Sequence, residues 1–298
     1  MGSIAKFRKK QAGILAAAFM ATMYVPTAWA MPTGEHNITN VEIDSNGKTM
    51  NVKLTGTKGA IDWEKFDIAS GETVNFTGPD KWMVLNRVTG SAFSEIAGRL
   101  NGSGGTVFLV NPNGINFAKG ASVDVGSLVA STLDISQDDF MQAGSSFTFK
   151  GDSKARITNL ADIKASDNGI VALLAHQVVS GIDALVEGND GQVEQNTITA
   201  GQVAMAAGKE ITLQYDNKID VKVTGSHENY GDFTESGSDF VINKSTITAT
   251  NGYVLMKASD AREVGNHLVC QKGIVTAKGL NADASGNIIL QAENVNAG

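Results

Sequence analysis

Short alternations of apolar and polar residues run through most of the chain, and one of them returns four times in its second half. The repeated pattern, Gly-x-apolar-x-apolar-x-Ala, reads GIVALLA from Gly169, GQVAMAA from Gly201, GYVLMKA from Gly252 and GNIILQA from Gly286. Alternate residues of a strand point to the same face, so the apolar positions of each copy share one side. The pattern predicts strands whose inner faces repeat along the chain.

A second short strand that ends in Ala precedes each copy. These strands read DIKA, TITA, TITA and IVTA, and they end at Ala165, Ala200, Ala249 and Ala277. Repeats that cannot bury their own apolar face must stack on their neighbours. The simplest solution is an all-β parallel β-helix, a solenoid in which each coil adds about 4.8 Å along the axis.

A β-propeller and an up-and-down barrel are the alternatives to this solenoid. The copies lie 32, 51 and 34 residues apart, whereas a β-propeller needs a steadier period with blade signatures. An up-and-down barrel needs long strands joined by two-residue hairpins. The short strands and frequent turns of this chain favour the β-helix.

The sequence also predicts how the chain is divided. Residues 31–76 have the alternating character expected of an N-terminal cap, and residues 77–298 are assigned to coils. Polar, glycine-rich stretches near 135–159 and 216–240 are expected to leave the coil as extra-helical strands or hairpins. The chain stops at Gly298 directly after a repeat, so we expect the natural protein to continue beyond it.

Residues 1–30 have the pattern of a secretory signal peptide. Four basic residues precede an apolar run of 14 residues, Ala12 to Val25, and Ala28-Trp29-Ala30 supplies a small-x-small cleavage site. The apolar run is shorter than the roughly 20 residues that span a bilayer. We therefore expect Sec-dependent export to the periplasm and a mature chain that begins at Met31.

Charge and chemistry narrow the function classes. Removal of residues 1–30 leaves 20 Lys and Arg against 31 Asp and Glu, a net charge of −11, which disfavours nucleic acid as a partner. The four histidines are too scattered for a metal-ligand spacing, and no cofactor is expected. The charged residues gather in predicted loops, so a non-enzymatic role is preferred. A polysaccharide-active β-helix lyase or hydrolase is the alternative.

One turn has an unusually strong turn-forming sequence. Asn111-Pro112-Asn113-Gly114 separates two apolar stretches. Pro112 presets φ, and Asn113 and Gly114 tolerate the bridge or left-handed conformations that complete a sharp turn. Upstream, Arg87 lies in an apolar strand and needs carboxylate or carbonyl partners, and a structural pairing is the default.

The chain resembles a known family, the N-terminal secretion domain of two-partner secretion exoproteins of the filamentous haemagglutinin type. The resemblance runs from about Met31 to at least Leu213. It rests on these stretches: IDWEKFDIASGETVNF from Ile61, VLNRVTG from Val84, SEIAGRL from Ser94, VFLVNPNGINFAKGASVDVGSLVASTLDIS from Val107, GIVALLAHQVVSGI from Gly169 and GQVAMAAGKEITL from Gly201.

The resemblance implies a right-handed parallel β-helix with an N-terminal cap and extra-helical strands. It also implies secretion, or display at the cell surface, through an outer-membrane β-barrel transporter whose periplasmic modules recognise this domain. Adhesion is then the expected task of the remainder of the exoprotein, with host or bacterial surface receptors as its partners.

The resemblance further assigns a candidate site for transporter recognition and folding nucleation. Its secretion signature falls on Asn111, Pro112, Asn113, Gly114 and Ile115, and the VLNRVTG stretch adds Asn86 and Arg87. A second signature of some members, Asn-Pro-Asn-Leu, is absent from this sequence. We hypothesise that the turn positions Val107, Leu109 and Ile115 for stacking; the alternative is a purely structural turn.

Overall fold

The computed structural model describes residues 30–181, 195–215, 219–224, 240–259, 269–271, 273–277 and 287–293. Within these ranges the chain forms 23 strands and one short helix, numbered in chain order. Apart from Ala30, the predicted signal peptide lies outside the described residues. None of the residues described belongs to a helix with the length and apolarity needed to span a bilayer.

The coils form a parallel β-helix with three faces, here called faces 1, 2 and 3. Face 1 consists of β3 (Thr49–Leu54), β5 (Thr73–Thr77), the first part of β8 (Arg99–Val110), of β10 (Ser122–Ser131), of β16 (Thr197–Ala207) and of β20 (Thr246–Ser259), with β13 (Asp162–Ala165) and β22 (Ile274–Ala277). Face 2 consists of β4 (Lys58–Trp63), β6 (Met83–Val88), β14 (Ile170–Ala175), β23 (Asn287–Glu293) and the second parts of β8, β10, β16 and β20. Face 3 consists of β7 (Ser94–Ile96), β9 (Ile115–Phe117), β12 (Arg156–Asn159), β15 (Gln177–Ser180), β19 (Val241–Asn243) and β21 (Val269–Gln271).

The registers confirm the predicted stacking of the four glycine-led repeats. Across β14, β16, β20 and β23, three columns align. They are Val171, Val203, Val254 and Ile288; then Leu173, Met205, Met256 and Leu290; then Ala175, Ala207, Ala258 and Ala292. The strands that end in Ala lie one face earlier, on face 1, where Ala165, Ala200 and Ala249 are buried. The parallel β-helix predicted from the pattern is therefore correct.

At Gly126, Gly169 and Gly201 the corner between faces 1 and 2 leaves no room for a side chain. A Cβ on Gly126 would lie 2.5 Å from the carbonyl oxygen of Gly105, and one on Gly201 would lie 2.8 Å from that of Gly169. Side-chain carbons do not pack that closely against backbone oxygen. The corner glycines thus stack on one another, coil upon coil.

The GSGG run, Gly102 to Gly105, was expected to be a loop between coils and is instead the bend inside β8. A Cβ on Gly102 would lie 3.1 Å from the ring of Trp82. The ring is 1% exposed. These glycines make space for a tryptophan under the corner.

Two antiparallel strands close the N-terminal end of the solenoid. β1 (His36–Thr39) pairs with β4, and β2 (Val41–Asn46) pairs with β3. They cover the ladder edges of faces 1 and 2, which would otherwise offer unpaired backbone groups. β3 and β4 already pair in parallel with β5 and β6, so the first complete coil lies inside the range that the sequence assigns to the cap.

A small antiparallel sheet lies outside the coils. β11 (Ser146–Lys150) pairs with β17 (Glu210–Gln214), which pairs with β18 (Asp220–Thr224). The helix α1 (Gln137–Gln142) leads into β11. β12 has already returned to face 3, so the first excursion ends before Arg156.

The second excursion begins earlier than the sequence indicates. The GKEITL stretch, assigned to a coil by the resemblance, supplies β17 of the outer sheet. Of the predicted extra-helical segment 216–240, residues 216–218 and 225–239 lie outside the described residues. Ile211 and Leu213 alternate exactly as a coil strand would, so the pattern could not indicate which apolar surface they cover.

The outer sheet creates a second hydrophobic core against the outward side of face 2. Phe108 lies at its centre, with ring centroids 4.9 Å from Phe147, 5.1 Å from Phe140 and 6.4 Å from Phe149. Outward residues of face 2 such as Ala172 and Leu174 are buried here as well. The outward side of face 2 is therefore covered here by an added element.

Lys58 fastens α1 to this core. Its Nζ donates to the carbonyl oxygens of Phe140 and Ala143, at the end of the helix. It also lies 5.3 Å from the ring centroid of Phe140, and partial burial lowers its pKa. A cation at the end of a helix satisfies carbonyls that have no intrahelical partner.

Phe108→Ala should cost about 3–5 kcal/mol in the free energy of unfolding, because it leaves a cavity at the centre of the second core. The measurement is urea unfolding followed by tryptophan fluorescence. Phe93→Ala is the matched control, since Phe93 is 56% exposed, and it should change stability by less than about 0.5 kcal/mol. Equal losses in the two variants would contradict the second core.

Acid should weaken the fold through His176, which is 2% exposed between β14 and β15. Burial, and to a smaller extent repulsion from Lys154 and Lys209, lowers the pKa of His176 to about 4. The unfolded chain protonates His176 near its ordinary pKa of about 6.5. Stability is therefore lost as pH falls from about 6.5 towards 4, because only the unfolded state takes up the proton in that window.

The expected contribution is about 1–2 kcal/mol between pH 7 and pH 5. Urea titrations of the parent chain and of His176→Gln at both pH values measure it. The substituted chain should lose less stability on acidification than the parent does. A pH dependence identical in both chains would show that His176 does not cause it.

Candidate functional site

The predicted turn follows β8 and connects face 2 to face 3. The Gly114 N–H donates to the Asn111 carbonyl at 3.0 Å, which closes a β-turn with Pro112 and Asn113 at its centre. Gly114 has φ +116°, a region that L-residues with a side chain rarely occupy. The turn is therefore as sharp as its residues predict.

Asn111 is fully buried and all of its polar side-chain atoms are used. Its Nδ2 donates to the Ala92 carbonyl and to Ser94 Oγ, both at 3.0 Å. Its Oδ1 accepts from the Asn113 backbone N–H at 2.9 Å. Its own backbone N–H donates to the Ser131 carbonyl. One amide therefore shapes its turn and ties it to the preceding coil, while its backbone reaches the following coil.

The other signature residues divide into exposed and buried groups. Asn113 is exposed, and its Nδ2 donates to the Gly90 carbonyl at 2.8 Å. Pro112 is half-buried, and its carbonyl accepts from Ser153 Oγ at 2.6 Å. Ile115 is 2% exposed. It belongs to the same inner core as Val107 and Leu109, the stacking partners proposed for it.

The bonding of Asn111 recurs at two corners that carry no signature. Asn159 Oδ1 accepts from the Ala161 N–H, and its Nδ2 donates to Ser180 Oγ in the next coil. Asn243 Oδ1 accepts from the Ser245 N–H, and its Nδ2 donates to Gln271 Oε1. A buried Asn that shapes its own turn and bonds a neighbouring coil is thus a repeated corner device of this solenoid. Neither Asn159 nor Asn243 was predicted from the sequence, although each lies at the end of a short strand.

Asn86 and Arg87 lie on β6, one coil before the turn. Asn86 is fully buried; its Oδ1 accepts from Trp63 Nε1 at 3.1 Å and its Nδ2 donates to the Phe108 carbonyl at 3.2 Å. These bonds make Asn86 a link between the inner core and the strand of the next coil.

Arg87 forms the structural pairing that the sequence analysis took as the default. Its guanidinium donates to both carboxylate oxygens of Asp134, at 2.7 and 2.8 Å, and Nη1 lies 3.4 Å from Asp62. The hydrogen bond with Asp134 is the main cause of a raised pKa for Arg87. The register places Arg87 beside Val110, one residue before the turn.

An open groove of about 560 Å³ runs beside the turn. Its lining includes Asn113, Gly114, Phe93, Lys154 and Arg156. Phe93, an exposed aromatic side chain, was not singled out from the sequence, because a single apolar residue between turn residues carries no periodic signal. The groove brings an apolar ring and two cations next to the exposed amide of the signature.

Asn111→Ala should lower the free energy of unfolding by about 2–3 kcal/mol, because it leaves buried donors and acceptors of two coils without partners. Asn75→Ala is the matched control. Asn75 belongs to a surface amide ladder with Asn51 and Asn101, and its loss should cost less than about 1 kcal/mol. Urea unfolding of both variants measures the difference; similar values would contradict the role of Asn111 as a corner device.

The chain is similar to proteins of a known family. The family model of the TPS secretion domain matches residues 28–298. A heme/hemopexin-binding protein of Haemophilus influenzae strain Rd is 29% identical over 214 residues, which cover 69% of this chain and 22% of that protein. A second heme/hemopexin-binding protein of Haemophilus influenzae is 40% identical over 87 residues, 29% of this chain and 9% of that protein.

A solved structure, the HMW1 secretion domain from Haemophilus influenzae, has a TM-score of 0.62 at 22% identity. The match covers 87% of this chain and 62% of that one. At this identity the likeness concerns the fold, which is the same β-helix. The enzyme alternative finds no support in these matches. With its parallel coils and the family match over residues 28–298, the chain belongs to the TPS secretion domain family, the secretion domains of two-partner secretion exoproteins.

Proposed function

We propose that this domain directs export of a larger exoprotein by binding the periplasmic modules of a cognate outer-membrane transporter, and that its first coils then nucleate β-helix folding outside the cell. Family membership implies a transporter partner. The observation that carries the finer proposal is the division of the signature turn: Asn113 is exposed, whereas Asn111 and Ile115 are buried.

The buried part of the signature suits folding. Asn111 uses its hydrogen-bonding groups on neighbouring coils, and the same device at Asn159 and Asn243 needs no transporter to explain it. Asn86 and Arg87 likewise bond within the fold. We assign nucleation to these residues, since each joins elements that must meet when the first coils form.

The exposed part suits recognition. Asn113 adds one bond to the Gly90 carbonyl and one to Asn111 Oδ1, and Pro112 is half-buried. These contacts leave the Pro112–Asn113 edge accessible, beside the groove that contains Phe93. We assign transporter contact to Pro112 and Asn113, with Gly114 setting the shape of the turn.

The route and the remainder of the exoprotein complete the proposal. Residues 1–30 act as a Sec signal peptide, residues 31–76 close the solenoid, and the exported protein is secreted or held at the cell surface. In the longer of the two alignments, this chain covers only 22% of the relative's length, which supports a large exoprotein. Adhesion to host or bacterial surface receptors is the proposed task of the remainder, without enzymatic activity; the names of the relatives also favour binding of heme or hemopexin.

Binding to the periplasmic modules separates recognition from folding. The chain is unfolded in urea, diluted to a concentration that the modules tolerate, and captured at once on the immobilised modules of the cognate transporter. Asn113→Ala should bind about tenfold more weakly, as expected for one lost hydrogen bond of about 1.4 kcal/mol. Asn111→Ala should bind like the parent but fold more slowly.

Asn75→Ala serves as the control for loss of a half-buried surface amide elsewhere. Undiminished capture of both Asn113→Ala and Gly114→Ala would eliminate direct recognition of the turn. It would leave the signature with a folding role alone.

A further inference from the structure

A buried carboxylate lies directly beside the predicted start of the mature chain. Glu72 is 3% exposed and sits just before β5. Its Oε1 accepts from the Ala30 backbone N–H at 3.2 Å, and its Oε2 accepts from the Ala69 N–H at 2.9 Å. Among the ion pairs formed by the residues that the structure describes, none includes Glu72.

Such an environment is incomplete for a carboxylate. A buried charge is costly unless it is both hydrogen-bonded and paired with an opposite charge. Two amide donors meet the first requirement here. A cation at the position of the Ala30 nitrogen would meet both.

Removal of the predicted signal peptide creates a cation at that place. Hydrolysis of the Ala30–Met31 bond consumes one water, leaves a carboxylate on the released Ala30, and leaves an amine on Met31 that takes up a proton at neutral pH. The amide that bonds Glu72 departs with the signal peptide. The new ammonium carries three donors and lies one residue further along, about 3.8 Å between consecutive Cα atoms.

The first residues of the mature chain are already held in position. The Met31 side chain is 9% exposed and belongs to the inner core. Thr33 exchanges backbone hydrogen bonds with Lys65 at 2.9 and 3.1 Å. These contacts hold the chain on both sides of Pro32, so the new ammonium lies one residue from the nitrogen that bonds Glu72 in the precursor.

We propose that, in the processed chain, the α-ammonium of Met31 forms a buried ion pair with Glu72 and locks the N-terminal segment onto the first coil. The inference rests on the predicted cleavage after Ala30 and is independent of transporter recognition. The unprocessed precursor offers Glu72 only a neutral amide. Signal-peptide removal is then a step that stabilises the capped end of the solenoid.

A double-mutant cycle tests the pair. The full 298-residue chain is exported to the periplasm, and the first residue of the purified product is read by N-terminal sequencing. Its partner in the cycle carries Gly-Ser-Gly inserted between Ala30 and Met31, which moves the ammonium away and restores a neutral amide at Met31. Each form is made with Glu72 and with Glu72→Gln, and urea unfolding is measured for all four chains.

The proposal expects Glu72→Gln to raise the unfolding equilibrium constant about tenfold more in the chain that starts at Met31 than in the extended chain. In the chain that starts at Met31, the melting temperature should fall by about 3 °C. Glu42→Gln, at an exposed carboxylate that pairs with Lys53, should have the same small effect in both forms.

Two results would overturn the pair. The first is an equal effect of Glu72→Gln in both forms, which would make Glu72 a cap of the Ala69 turn alone. The second is a mature chain that begins at a residue other than Met31. Neither result bears on capture by the periplasmic modules, so a failure here is distinguishable from a failure of the proposed function.

Discussion

The parallel ladder is the constraint on which the rest of this structure depends. Strands that pair in register place every residue about 4.8 Å from its equivalent in the next coil. The side chain at each position must therefore pack against the side chain at the equivalent position of the next coil. The inner columns satisfy this with Val on Val and Met on Met. The corner satisfies it with Gly126 on Gly105, where even one methyl group would collide with a carbonyl. Repetition in the sequence follows from repetition in space.

Because these features are local and periodic, the sequence was enough to predict them. The β-helix, its inward columns and the turn at Asn111 could all be derived from alternation and turn chemistry. The pairing of the outer sheet could not, because β11 and β18 lie in segments that were expected to leave the coil whereas β17 was assigned to a coil. Ile211 and Leu213 alternate as a coil strand does, and only the three-dimensional position of Phe147 and Phe149 shows which core they join. The contacts of Phe108 likewise connect residues about 30 to 40 positions apart.

The site shows the same division. Turn chemistry predicted the conformation at Gly114. A lone Arg in an apolar strand predicted carboxylate or carbonyl partners for Arg87, and the partners are the carboxylates of Asp134 and Asp62. The roles of Asn159 and Asn243 depend on which residue of the adjacent coil stands opposite, and that register has no local sign. Glu72 is the extreme case, since one of its two hydrogen-bond donors, the Ala30 N–H, lies 42 residues away in the sequence.

The outer sheet joins strands that lie far apart in the sequence, which constrains the order in which the domain can fold. β11 leaves the solenoid within the fourth coil, between β10 and β12, but its partner β17 belongs to the excursion that follows β16, some sixty residues later. In a chain that emerged from a pore N-terminus first, Phe108, Phe147 and Phe149 would lack the cover of β17 until residue 214 had emerged. The second core would be completed only then.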